Sequence, residues 1–170
     1  MSSSLQLLPY PKGWLKRFFR LPILLFRLGL SVTLDRVPIM ILTTRGRRSR
    51  QARFAALEYR RHGTKLYVIS GWGERPQWYQ NLQHDPESTL ALGQKTYRAK
   101  ATVIDNPSEK ARALYMFRNR VKFLSNPYLI TVDEALNRNL REMQQLAQEY
   151  TVVKFELQEG LPDLPTVAPD

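Results

Sequence analysis

The chain predicts a mainly antiparallel β fold: a small barrel-like sheet with flanking helices. Three observations carry that expectation. Short β-branched runs recur between glycine-bearing turns; most are joined as hairpins rather than through alternating helices; and the glycine signatures with which doubly wound folds cradle phosphate are absent. At 170 residues and 43% hydrophobic content, one globular core is expected.

Residues 1–36 read as an N-terminal amphipathic helical segment. It starts irregularly with serines and prolines and continues as WLKRFFRLPILLFRLGL, where arginines interleave with Phe and Leu and Pro22 breaks or restarts the helix. This helix is expected to pack on the domain or on a partner subunit, with peripheral membrane contact as a further expectation. No apolar stretch reaches the roughly 20 residues needed to cross a bilayer, and no export signal is recognisable, so a cytoplasmic location is expected, with membrane association through this helix as the secondary option.

Residues 37–158 form the sheet domain. VPIMILTT (37–44) gives the first strand. After an arginine-rich turn around Gly46, residues 53–59 and 65–70 read as a hairpin joined through His62 and Gly63. A short helix follows over 76–84, closed by Pro86. A second hairpin spans 89–104, and the alternation of Tyr97, Ala99, Ala101 and Val103 with Arg98, Lys100 and Thr102 predicts one buried and one wetter face. Asn106 and Pro107 open a helix running to about Val121, with Glu109 three residues after the cap. Leu136, Leu140, Met143 and Ala147 form the apolar stripe of another helix, TVVKFEL (151–157) supplies the last strand, and residues 159–170 form a Pro-rich tail.

The formal charge of +11 is unevenly distributed. Residues 1–65 hold fourteen Lys/Arg against two Asp/Glu, so the positive field belongs to the first third of the chain. An anionic partner is implied: a phosphorylated cofactor, nucleic acid or an anionic surface. The absence of cysteine excludes disulfides, thiolate catalysis and cysteine-ligated metals, and two histidines make a multi-histidine metal site a poor expectation. No serine triad or carboxylate pair is recognisable. Ser70, before Gly71, is read as a hydrogen-bonding residue more readily than as a nucleophile.

Two segments stand out chemically. ILTTRGRRSRQAR places Arg45, Arg47, Arg48, Arg50 and Arg53 within nine residues. Guanidinium groups grip phosphate or carboxylate through paired hydrogen bonds, Thr43, Thr44 and Ser49 add hydroxyls, and Gly46 allows backbone N–H groups to converge on an anion. A merely charged turn is the plainer alternative. SGWGERPQWYQNL (70–82) combines aromatics and glycines suited to a flat ring, although Trp78 and Leu82, four apart, equally suit a helix anchored to the core.

LTTRGRRSRQAR, LEYRRHGTKLYVIS and GWGERPQWYQNL, in that order and spacing, resemble the deazaflavin-dependent nitroreductase family, whose pattern is approximately LTT-x-GRKSG-x-x-R, then a hairpin, then GG and Pro-x-Trp-x-x-Asn-Leu. The resemblance covers residues 37–105 and implies a split β-barrel, FMN-binding-like, using coenzyme F420, a deazaflavin with a phosphate and a glutamate chain on its tail. By resemblance, Arg47, Arg48, Ser49 and Arg53 hold the acidic tail, with Thr44 and Gly46 shaping the turn. Ser70, Gly71, Trp72 and Gly73 line the ring region, and Pro76, Trp78, Asn81 and Leu82 complete the wall. Arg50 stands where the family has glycine, and Trp72 interrupts the glycine pair.

The activity implied is hydride transfer from reduced F420 to a quinone, an enone or a nitroaromatic acceptor, with Ser70 or a tyrosine, Tyr128 among the candidates, stabilising charge on the acceptor. FMN in the same fold is the alternative cofactor. A homodimer is implied by the resemblance. A nucleic-acid partner is not expected, because it would demand an exposed basic track rather than arginines converging on a concavity.

Overall fold

Hairpins build the sheet, and one kinked strand closes it. The computed structural model describes residues 21–28, 38–117, 147–148 and 150–158. Its strands are β1 (Ile39–Arg45), β2 (Ala52–Glu58), β3 (Arg60–His62), β4 (Lys65–Ser70), β5 (Glu87–Leu92), β6 (Lys95–Val103) and β7 (Thr151–Leu157); its helices are α1 (Leu21–Arg27), α2 (Gln77–His84) and α3 (Pro107–Met116). The strands pair antiparallel in the order β2, β1, β5, β6, β7, β4, β3. β2 and β3 lie at opposite ends of that order, yet only Tyr59 separates them in the chain. The sheet therefore curls until its two edges meet at Tyr59, and the result is a barrel rather than an open sheet.

The expected hairpin of residues 53–59 with 65–70 does not form. β2 pairs along its whole length with β1, from Ile39↔Glu58 to Arg45↔Ala52, and only β3 pairs with β4 across the turn at Gly63, which takes φ 59°. The tight arginine loop brings β2 back onto β1 at little cost in loop-closure entropy, which favours that pairing over one with β4. Tyr59 still donates its N–H to Pro38 O at 2.9 Å, and beyond it the chain leaves the edge of β1.

Strand alternation then sorts side chains into three apolar clusters. Inside the barrel lie Met40, Leu42, Leu66, Val68, Leu90, Tyr97, Ala99, Val153 and Phe155, with Tyr79 and Leu82 of α2 packed among them. On the outer wall α3 brings Ala111, Leu114 and, at its end, Phe117 against Tyr67, Ile104 and Val152. α1 sets Ile23 and Phe26 against Ile41, Ala56 and Ala91. The predicted alternation in β6 is observed: Tyr97, Ala99 and Ala101 are buried and Val103 half-buried, while Arg98, Lys100 and Thr102 are exposed.

Helix ends follow their local chemistry. Pro22 falls in the first turn of α1, where a missing N–H costs no hydrogen bond. Asn106 caps α3, its Oδ1 accepting from Ser108 N at 2.9 Å and Glu109 N at 3.0 Å. α3 stops at Met116, short of the expected Val121, where Phe117 N donates to Leu114 O in a tightened turn and Arg60 stacks on the Phe117 ring at 4.8 Å. The helix expected to carry Leu136, Leu140 and Met143 lies outside the described residues apart from Ala147 and Gln148, both helical. The Pro-rich tail and the first twenty residues lie outside them too.

Candidate anion and cofactor site

The arginine loop between β1 and β2 is fixed by its own backbone. Gly46 N donates to Gln51 O at 2.8 Å, and Arg50 N donates to Gly46 O at 2.7 Å. A Cβ on Gly46 would stand 3.0 Å from Ser49 Oγ and 3.2 Å from Gln51 O, so the turn closes tightly only over glycine. Arg50, the residue that stands in for the family's glycine, adopts φ 59°. A side chain thus sits in a left-handed conformation that glycine would take at no steric cost, and the backbone of Arg50 carries that cost.

Asn81 ties this loop to α2. It is 3% exposed, its Nδ2 donates to Thr44 Oγ1 at 3.1 Å, and its Oδ1 accepts from Arg47 N at 3.2 Å and Arg47 Nη1 at 3.5 Å. Arg47 Nη1 also donates to Gln77 Oε1 at 2.9 Å. The strand register sets Thr44 opposite Arg53, whose Nη2 donates to Ser49 Oγ at 3.1 Å. Thus Thr44, Gly46, Arg47, Ser49, Arg53 and Asn81 gather at one end of the barrel, with exposed Arg48 on the same loop. The N–H groups of Gly46, Arg47 and Arg50 are all engaged within the protein. An anion there would therefore meet side chains rather than those amides. Among the described ion pairs, none of Arg45, Arg47, Arg48, Arg50 or Arg53 meets a carboxylate. A rigid turn carrying uncompensated guanidiniums fits the acidic arm of a phosphorylated cofactor.

The second segment leads from β4 into α2. Ser70 is 4% exposed and its hydroxyl donates to Gly73 O, while Gly73 takes φ 57° and returns its N–H to Ser70 O at 3.1 Å. Ser70 therefore closes the turn that carries Gly71 and the half-buried Trp72. Pro76 is buried as the N-cap residue of α2, with extended backbone, and Leu82 is 5% exposed in the barrel core. Trp78 is half-buried and meets Tyr79 edge-on, ring centroids 6.1 Å apart. Leu82 and Trp78 thus anchor α2 to the core, which fixes the loops on either side. Tyr128 lies outside the described residues.

Beside Arg47 an open groove of about 420 Å³ runs along α2, lined by Arg47, Glu74, Arg75, Tyr79, Gln80 and Gln83. The Tyr79 hydroxyl donates to Glu74 Oε1 at 3.3 Å, and burial, reinforced by that carboxylate, pushes its pKa above the usual tyrosine value. Of these residues only Arg47 was expected at the site. The available signal was the spacing of Gln77, Gln80 and Gln83, each three residues on, which sets amides along one side of a helix.

Residues 27–151 match the model of a family described as F420H(2)-dependent quinone reductase. The chain is 32% identical over 79 residues to Rv3178 of Mycobacterium tuberculosis (strain ATCC 25618 / H37Rv), whose name gives an F420H(2)-dependent quinone reductase; the match spans 45% of this chain and 66% of Rv3178. Among solved structures, Rv2991 of Mycobacterium tuberculosis superposes with a TM-score of 0.53 at 13% identity, covering 78% of this chain and 80% of that one. A 5-nitroimidazole antibiotic resistance protein of Bacteroides thetaiotaomicron VPI-5482 gives 0.51 at 13% identity, covering 79% and 80%. These structural likenesses speak to the fold alone.

Proposed function

Because the chain belongs to the F420H(2)-dependent quinone reductase family, we propose that it binds F420 at the arginine-loop end of the barrel and catalyses reduction of a quinone, with an enone or nitroaromatic as further acceptors. The observation that carries this reading is the loop itself: a turn locked by Gly46 and Asn81 that presents guanidiniums with no carboxylate partner among the described residues.

When bound, reduced F420 supplies the hydride. Everything else is the work of the chain. Arg47, Arg48 and Arg53 would hold the phosphate and carboxylates of the acidic arm, Ser49 orienting Arg53 through its hydroxyl. Asn81 fixes the direction of Arg47 and would in this way hold the cofactor's acidic arm in position relative to the barrel. The turn closed by Ser70 would set the Gly71–Trp72–Gly73 backbone against the ring, with Trp72 as its flanking aromatic. Because the Ser70 proton is directed at Gly73 O, charge stabilisation by Ser70 on an acceptor would first require that bond to break. Ser70 is accordingly proposed as the residue that shapes the ring-side turn, and acceptor contact is left to an aromatic wall and to the segment containing Tyr128. A homodimer, and a peripheral lipid contact through the exposed Leu21, Leu24 and Leu28 of α1, belong to the same reading.

Titration of the purified protein with F420 and with FMN tests it, followed by fluorescence. F420 binding at micromolar or tighter dissociation constant, weakened in Arg53→Ala without loss of fold, is expected, as is quinone-dependent oxidation of reduced F420. Preferential FMN binding, or F420 affinity untouched by Arg53→Ala, would overturn the assignment.

A further inference from the structure

We propose that Gln77 is a positioning residue: with Asn81 it aims the Arg47 guanidinium through neutral oxygens, so that the arginine is fixed in direction while its charge stays available to an anionic ligand. This rests on the F420 reading and goes beyond it, because Gln77 stands at the unspecified position between Pro76 and Trp78 of the family pattern.

Gln77 and Asn81 are four residues apart in α2, which places them one turn apart on the same face of the helix. Both meet one guanidinium nitrogen. Arg47 Nη1 donates to Gln77 Oε1 at 2.9 Å and to Asn81 Oδ1 at 3.5 Å, while Asn81 Oδ1 also accepts from Arg47 N at 3.2 Å. Asn81 thus holds chiefly the backbone of Arg47, and Gln77 is the closer hold on its charged end. A carboxylate at position 77 would be favoured twice over. It would lie in the first turn of a helix, where negative charge is stabilised, and it would pair with a guanidinium already at hydrogen-bond distance. Yet α2 has no acidic residue in its first turn and no side-chain bond at its cap. Arg60 shows the other solution in the same chain: its Nη2 meets Glu58 Oε1 at 2.8 Å, both side chains are largely buried, and its Nε ties the barrel seam to Met116 O. An amide orients without neutralising. Arg47, half-buried and with no carboxylate among the described ion pairs, therefore keeps its full charge while α2 sets its direction.

Stability and binding are then expected to move in opposite directions. Gln77→Glu should raise the melting midpoint by about 1–4 °C, through the helix end and the new ion pair. The same change should weaken F420 roughly twofold to fivefold in a fluorescence titration, because Arg47 is then neutralised. Gln77→Ala keeps the charge and releases the guanidinium. It should weaken F420 roughly twofold, and should leave affinity unchanged when introduced into Arg47→Ala, since its effect runs through that arginine. F420 bound as tightly by Gln77→Glu as by the wild type, or an equal loss from Gln77→Ala with and without Arg47, overturns the proposal while the cofactor reading stands. Failure of the wild type to bind F420 overturns both.

Discussion

At single residues, the departures from pattern carry the most information. Arg50 occupies a left-handed backbone that L side chains enter at a cost of about 1–2 kcal/mol. Glycine removes that cost but loses more freedom on folding, so Arg50→Gly should stabilise the protein by about 0.5–1 kcal/mol in urea denaturation while removing one cation from the loop. Tyr97 is 7% exposed inside the barrel, and its hydroxyl has no hydrogen-bond partner among the described residues. Removing an unsatisfied buried hydroxyl is favourable, so Tyr97→Phe should be neutral or raise stability by about 1 kcal/mol. Neither effect was legible in the sequence. Arg50 was visible as an exception to a glycine pattern, but its φ depends on the register that β1 and β2 adopt around it. Tyr97 was correctly expected on the buried face, but which polar groups face it depends on strands far away in the chain.

Among the elements, two clamps join pieces that the chain keeps apart. Arg60 lies at the seam where β2 gives way to β3; its Nη2 meets Glu58 Oε1 at 2.8 Å, its Nε donates to Met116 O at 3.1 Å, and its guanidinium stacks on Phe117. Both side chains of the ion pair are largely buried, at 12% and 18% exposure. Arg60→Ala removes the largely buried ion pair with Glu58, the hydrogen bond to Met116 O and the stacking on Phe117, and should cost about 3 kcal/mol in urea denaturation. Asn81 is the second clamp. Asn81→Ala should cost about 1–3 kcal/mol, since it strands a buried hydroxyl and a backbone N–H, and should weaken F420 binding by loosening Arg47. In the sequence Arg60 falls in the connection of the expected 53–59/65–70 hairpin, and a 56-residue separation hides its carbonyl partner. The resemblance places Asn81 only in the wall of the implied site; its bonds to the arginine loop are visible in the structure alone.

Over the whole molecule, two field effects are expected. The uncompensated arginines lie near the surface, so F420 binding should weaken severalfold as ionic strength rises from about 0.01 M to about 0.15 M, a change that shortens the screening length from about 30 Å to about 8 Å. Alkali should act on the fold. Burial raises the pKa of Tyr67, Tyr79 and Tyr97 above 10.0, with the Glu109 and Glu74 carboxylates adding to the effect at the first two. The unfolded chain then gives up these protons at lower pH than the folded one. Stability should be fully present below about pH 10 and fall as pH rises towards the raised folded values. Denaturation midpoints at successive alkaline pH values would show the decline, and Tyr97→Phe would make it shallower.

The sequence by itself determined the strand-rich class, the positions of most strands to within two residues, the alternation in β6, the cap at Asn106 and the concentration of cations on one turn. Those features rest on periodicity, turn chemistry and local charge, which act over a few residues. Only the tertiary structure decided that β2 pairs with β1 instead of β4, that the barrel closes at Tyr59, that Asn81 bonds to the arginine loop, and that Arg75 lines one groove with Arg47. Strand partners and convergent side chains are fixed by which surfaces exclude water together, and contacts between distant parts of the chain leave no periodic trace in its order of residues.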